Sequence, residues 1–189
     1  KMKGFIIYPT YRIIDDKSYI YLYGRLENNQ SFLTINYFKP YFFIRTSDIK
    51  KALKLQTFEY EDTDLTDFKK ERVTKIILNI PSEVPKLRKI FEDEGIECYE
   101  ADIRFAYRFL IDKKIQGSLA IDGEYETHPT LDRVYTEPEI SPTEYHPKNL
   151  KVLSLDIETN GMDPPCLSGL KCQFLHVVIP TIPLMARTC

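Results

Sequence analysis

The stretch Val73-Thr74-Lys75-Ile76-Ile77-Leu78-Asn79-Ile80, followed by Pro81-Ser82-Glu83-Val84-Pro85-Lys86-Leu87-Arg88-Lys89-Ile90-Phe91 and Gly95-Ile96-Glu97-Cys98-Tyr99, decides the fold class. Its first part is β-branched and apolar, which reads as a strand over 73–80. Ser82 then offers an N-cap, Pro85 fits a first helical turn, and Val84, Leu87, Ile90 and Phe91 recur at helical spacing up to the Gly95 stop. Ile96 to Tyr99 is a second short strand. A strand and a helix of comparable weight in one run point to an α+β protein.

The same reading extends in both directions. Upstream, Phe5–Ile14, Tyr19–Leu26 and Phe32–Phe38 are aromatic and β-branched runs separated by the polar turns Asp15–Ser18 and Glu27–Gln30, an antiparallel meander. Tyr41–Arg45 is a further strand, and Ser47 can cap a short helix that buries Ile49, Ala52 and Leu53. The acidic stretch Glu59–Asp67 reads as a loop. Strand, helix, strand, helix, strand from Tyr41 to Tyr99 fits a ferredoxin-like portion. Downstream, Asp102 is placed to cap a third helix burying Ile103, Ala106, Tyr107 and Leu110, and Ile115–Ile121 with Leu131–Tyr135 reads as a hairpin turning at Asp122-Gly123. Glu137–Lys148 carries Pro138, Pro142 and Pro147 and reads as a stiff linker, with a boundary near 148. Leu150–Ile157 is a near-continuous apolar run suited to a buried strand opening a new domain.

Composition narrows the function. The chain of 189 residues carries a net charge of −2 with 43% hydrophobic residues, so it is neither disordered nor a bulk polycation, and any basic surface is local. A cytoplasmic location is expected, since Phe5–Pro9 is too short for a signal-peptide core and the apolar stretch Phe174–Ala186 is broken by Pro180 and Pro183. From 161 to 189 only Asp163, Lys171 and Arg187 are charged, so this tail is a separate object. Cys166, Cys172, His176 and Cys189 have spacings that match no compact zinc knuckle. Phosphate-loop, GxSxG and HExxH motifs are absent.

Two constellations remain. In Leu153-Ser154-Leu155-Asp156-Ile157-Glu158-Thr159 strand alternation puts Asp156 and Glu158 on one side. Carboxylates of that kind hold Mg²⁺, although two-metal phosphodiester hydrolysis needs several around ions roughly 3.5–4 Å apart. The plainer alternative is a pair of solvated acids at a strand end. Phe105, Arg108 and Asp112 fall at i, i+3 and i+7 on one helix face, opposite the expected core stripe. An aromatic beside a guanidinium is a platform for stacking a base and holding phosphate, and the alternative is a surface Arg108–Asp112 ion pair.

Asp156-Ile157-Glu158-Thr159, after its proline-rich linker and apolar strand, resembles the first exonuclease motif of the family B DNA polymerases, and the likeness runs over nearly all of 3–160. Gly4-Phe5-Ile6, Gly95 to Arg104 and Lys151 to Asp156 are similar to bacterial DNA polymerase II; Phe38-Lys39-Pro40-Tyr41, Ser82 to Arg88 and Arg108 to Lys113 are similar to the archaeal members. The resemblance implies a template-contacting N-terminal domain over 1–137, a linker over 138–148, the first strand of a ribonuclease H-like 3′–5′ exonuclease domain over 149–160, and a divergent tail over 161–189. It implies Mg²⁺ or Mn²⁺ at Asp156 and Glu158 in a complete enzyme. It also implies a pocket that captures uracil in single-stranded template, to which Tyr11 (taken over Tyr8 by ungapped alignment), Pro40, Tyr41, Pro81, Val84, Arg88, Phe105, Arg108 and Asp112 correspond. The implied partners are template DNA and the remaining polymerase domains or a second polymerase chain, with a nucleoid location and no membrane. Further carboxylate motifs are missing, so this chain is expected not to be catalytically self-sufficient. A stand-alone single-stranded nucleic-acid-binding module and the inert product of a broken gene are the alternatives.

Overall fold

The computed structural model describes residues 1–147, of which Lys1–His146 form one compact unit. The reading of 149–160 as an exonuclease strand, with Asp156 and Glu158, and the tail over 161–189 lie outside the described residues.

The meander opens the chain as β1 (Met2–Ile14), β2 (Lys17–Leu26) and β3 (Ser31–Tyr37). Ile14 pairs with Lys17, and the two turn residues Asp15 and Asp16 take φ of 48° and 55°, the left-handed pair of a type I′ hairpin that short polar side chains tolerate. Then follow β4 (Tyr41–Arg45), α1 (Ile49–Leu55), β5 (Glu59–Thr66), β6 (Arg72–Ile77), α2 (Glu83–Asp93), β7 (Cys98–Tyr99), α3 (Phe105–Asp112), β8 (Ser118–Asp122), β9 (Glu126–His128), β10 (Leu131–Thr136) and β11 (Glu139–Pro142).

Two sheets result. The larger has the order β11-β8-β1-β2-β3-β10-β9, and its inner face packs Ile20, Leu22, Leu26, Phe32, Leu119, Ile121 and Tyr135 against Phe105, Ala106, Phe109 and Leu110 of α3. Gly24 is required there, because a Cβ would lie 2.2 Å from the Phe5 carbonyl oxygen and 2.5 Å from the Phe32 ring. The smaller sheet has the order β5-β6-β4-β7 with every neighbour antiparallel. Residues of α1 and α2 form the second core with it: Ile49, Ala52, Leu87 and Phe91 meet Phe42, Ile44 and Ile76. Burying such side chains in full is worth about 1.5–3 kcal/mol each, so these two clusters dominate the energetics.

Five local expectations are corrected. Residues 59–66, read as a loop, form β5, an exposed edge strand whose acids hide the alternation; the ladder to β6 holds it, and its charges keep the free edge from pairing further. Ser82 makes no side-chain cap bond to α2; the Glu83 carboxylate instead accepts from the amides of Asn79 (3.1 Å) and Ile80 (3.2 Å). Asp102 does not cap α3, which starts at Phe105, and its buried face is Phe105, Arg108 and Phe109 along with Ala106 and Leu110, leaving Tyr107 49% exposed. The strands over 118–122 and 131–136 do not pair with each other: β8 joins β1 and β11, while β10 runs parallel to β3. Within the proline-bearing stretch, Glu139–Pro142 adds an edge strand to β8, where the missing amide of Pro142 is tolerated at the strand end.

Candidate nucleic-acid interface

Tyr41 starts β4, and everything around it is brought by other elements. Its hydroxyl donates to the Asp112 carboxylate, 2.7 and 2.9 Å from the two oxygens, at the last residue of α3. One turn earlier on α3, the Arg108 guanidinium carbon lies 4.9 Å from the Tyr41 ring centroid, and Lys75 Nζ of β6 lies 4.4 Å from it. Lys75 arrives because β6 pairs with β4 antiparallel, Phe43 opposite Lys75 and Tyr41 opposite Ile77. Burial first, then the bond to Asp112, push the Tyr41 phenol well above its ordinary range against the opposing pull of Arg108, so it stays a neutral donor at physiological pH.

The aromatic side of the cluster is built by Phe38, which meets Tyr41 edge-on at 6.2 Å, stacks on Phe105 at 5.5 Å and meets Phe109 edge-on at 5.2 Å. Tyr11, 42% exposed, meets the Phe105 ring edge-on at 5.3 Å. Ring edges and faces alternate here as the quadrupoles of aromatic pairs prefer.

The expected Arg108–Asp112 pair does not form. Asp112 is occupied by Tyr41, and Arg108 Nη2 donates to Glu100 at 2.5 Å, while Arg108 itself is 6% exposed and its Nε has no partner. Glu100 holds that position with a left-handed φ of 58°, a conformation a non-glycine residue adopts at a cost. The guanidinium is therefore a largely desolvated cation held against an aromatic ring. Beside it, a groove of about 360 Å³ is lined by Asn36, Phe38, Phe109, Asp112, Lys113 and Pro138, into the wall of which the buried Asn36 Oδ1 brings an unpartnered acceptor.

Tyr11, Tyr41, Phe105, Arg108 and Asp112 are thus joined through direct contacts, with Phe38, Lys75 and Glu100 added to those expected. Pro40 is buried and its carbonyl accepts from the Leu78 amide at 2.9 Å, which ties the start of β4 to the turn preceding α2. Pro81, Val84 and Arg88 form a second group on that turn and helix. The Pro81 carbonyl accepts from the Val84 amide at 3.2 Å, Val84 packs on the second core, and Arg88 Nε is held by Glu92 at 2.7 Å. Phe38 carried a signal in its aromatic-Lys-Pro-Tyr context; Lys75 carried none, since cross-strand pairing alone places it. Among the described residues no group of three His, Cys, Asp or Glu could hold a metal ion. The cluster offers ring faces, two cations and a neutral hydroxyl donor.

No protein-family model matches the chain. It is 41% identical over 127 residues to a DNA polymerase of Methanocaldococcus jannaschii, covering 58% of this chain and 8% of that protein. It is 30% identical over 183 residues to a DNA polymerase of Archaeoglobus fulgidus, covering 87% of this chain and 23% of that protein. Among solved structures, the family B DNA polymerase from the hyperthermophilic archaeon Pyrobaculum calidifontis superposes with a TM-score of 0.68 at 22% identity, over 83% of this chain and 22% of that one. The chain is a relative of the DNA polymerases, with the fold of family B. It spans less than a quarter of the length of these relatives. A DNA polymerase delta catalytic subunit of Plasmodium falciparum is also similar, at 29% identity over 83% of this chain and 20% of that protein. Among the described residues of this polymerase relative, no helix is long and apolar enough to cross a membrane.

Proposed function

We propose that this chain is the template-contacting N-terminal portion of a family B DNA polymerase, leading into the first strand of a ribonuclease H-like 3′–5′ exonuclease domain, and that it reads single-stranded template for uracil. The observation that carries the reading is the convergence of Tyr11, Phe38, Tyr41 and Phe105 with the desolvated Arg108 and with Lys75. Rings of this kind stack a base, Lys75 offers a cation to a flanking phosphate, and the buried Arg108 holds the Tyr41 ring in place. The sheet order β5-β6-β4-β7, with α1 and α2 as its crossovers, supports the ferredoxin-like reading of the smaller unit. A cleft that has no room for the thymine methyl distinguishes uracil by shape.

Asp156 and Glu158 are hard oxygen donors that suit Mg²⁺ or Mn²⁺, and such an ion supplies activated water for phosphodiester hydrolysis. Two carboxylates fall short of a two-metal site, so no step is assigned to them in this chain, and polymerisation and proofreading belong to further domains.

The test is fluorescence anisotropy of the full chain, at one stated salt concentration, against two single strands that differ by uracil in place of one thymine. Tighter binding of the uracil strand, lost in Val84→Gln, is expected. Equal affinity for both strands overturns uracil reading and leaves general strand binding. The closure of both cores within Lys1–His146 also supports a stand-alone binding module, which the same titration addresses.

A further inference from the structure

The outer face of the larger sheet takes no part in the base pocket. Register places Tyr8 opposite Tyr23, Thr10 opposite Tyr21 and Arg12 opposite Tyr19, and continues into β3 with Tyr23 opposite Leu33, Tyr21 opposite Ile35 and Tyr19 opposite Tyr37. Directly opposed residues share a face, and Ile20 and Leu22, which alternate with these tyrosines, lie in the core. Five tyrosines therefore line the face turned away from α3. Tyr11, opposite Ile20, is on the other side with Phe105.

These rings form contacting pairs: Tyr8 and Tyr23 at 6.4 Å, Tyr21 and Tyr23 at 6.3 Å, Tyr19 and Tyr37 at 5.6 Å. The Arg12 guanidinium covers Tyr21 at 5.2 Å, which accounts for part of that ring's burial, whereas Tyr8 is 60% and Tyr37 43% exposed. Arg25 ends the row, opposite Ser31, and donates to the Asn29 carbonyl. Among the described residues neither Arg12 nor Arg25 is in an ion pair.

We infer that this tyrosine face is a second binding surface for single-stranded nucleic acid, on the opposite side of the sheet from the base pocket, with Tyr8 and Tyr37 stacking on bases and Arg12 and Arg25 neutralising phosphates. A flat sheet bearing exposed rings is the geometry on which successive bases stack. Tyr19 and Tyr23, four residues apart on β2, are separated by roughly 13 Å along the strand, so the Tyr8–Tyr23 and Tyr19–Tyr37 pairs meet different bases. Arg12, in no ion pair among the described residues, and Arg25, whose charge also acts on Asp132 beside Ser31, favour an anionic, planar-grouped chain over an apolar protein surface. Contacts of this kind read no sequence.

The experiment titrates the full chain with a labelled short oligothymidylate and with a strand of equal length made abasic at its centre, at one fixed salt. Expected results are a loss of about tenfold or more in Tyr8→Ala/Tyr37→Ala, a similar loss for the wild-type protein on the abasic strand, and near wild-type affinity in Tyr8→Phe/Tyr37→Phe, which keeps the rings. Absence of measurable binding by the wild-type chain, equal binding of the abasic strand, or unchanged affinity in the alanine pair overturns the inference. If circular dichroism shows the alanine pair unfolded, the phenylalanine pair and the abasic strand decide. Uracil preference measured on the same variants separates the two sites. Its loss in Val84→Gln with oligothymidylate binding intact leaves the tyrosine face standing. Its survival in an alanine pair of unchanged affinity removes the face alone.

Discussion

Replacing Glu100 by Gln is the sharpest test of how the Tyr41 cluster is held together. Arg108 has a side chain only 7% exposed, one carboxylate partner at 2.5 Å, and an unpartnered Nε. Removing the charge while keeping the shape leaves a buried guanidinium with the Tyr41 ring as its main compensation. Breaking a fully buried pair costs about 3–5 kcal/mol, but Glu100 is half exposed and water can partly replace it, so a loss of about 1–2 kcal/mol follows. Gln at position 100 meets the same left-handed backbone as Glu, which isolates the charge. Arg108→Met keeps an apolar stem against Tyr41, abolishes the orphaned Nε, and leaves Glu100 free to solvate. It should therefore cost less than Glu100→Gln, and the Glu100→Gln cost should vanish when both changes are combined. Urea unfolding of the full chain and its three variants supplies the numbers as a double-mutant cycle. An Arg108→Met variant less stable than Glu100→Gln, or strictly additive costs, would refute the argument that this cation is kept at the expense of stability. The companion expectation is that Arg108→Met weakens oligonucleotide binding, which is what such a retained charge is for.

Asp67 supplies a pH signature: burial acts to raise its pKa, but the Glu71 amide, Arg45, Tyr99 and the Lys69 amide together hold it down at about 2 against an ordinary 3.8. A depressed carboxylate stabilises the fold above its unfolded pKa and loses that contribution as pH falls through the folded one, so urea midpoints should drop between about pH 4 and pH 2, and Asp67→Asn should flatten that window. Gly24→Ala forces a methyl 2.2 Å from the Phe5 carbonyl oxygen, with an expected loss of about 1–3 kcal/mol or more that Phe32→Leu does not rescue, because a backbone atom remains in the way; thermal melting checks it. The full chain should degrade no single-stranded DNA in Mg²⁺, since two carboxylates do not complete a two-metal site; nuclease activity abolished by Asp156→Ala would contradict this.

Much of the local structure was legible because it depends on neighbours in the chain. The meander follows from alternating aromatic and β-branched residues, the Asp15-Asp16 turn from side chains that tolerate a left-handed backbone, and α2 from an apolar stripe ended by Gly95, whose φ of 72° closes the helix. The α+β class was legible at this level, as was the placing of Phe105, Arg108 and Asp112 on one helix face by their spacing, whereas Tyr41 came only from the family resemblance. Tertiary structure decided the rest. β5 has no apolar alternation, so only its ladder to β6 makes it a strand, and β10 adds to β3 in parallel through partners 101 residues apart, as in Arg133 opposite Phe32. The buried face of α3 was misread because Phe105 and Arg108 are driven inward by Phe38, from the connection after β3, and by Tyr41 of β4. Lys75 enters the cluster through cross-strand register, and the tyrosines of β1, β2 and β3 become one surface only when three strands align. Local periodicity determines which elements form; which faces meet is set by burial and hydrogen bonding between segments distant in the chain, and both constellations argued for nucleic-acid contact lie at those meetings.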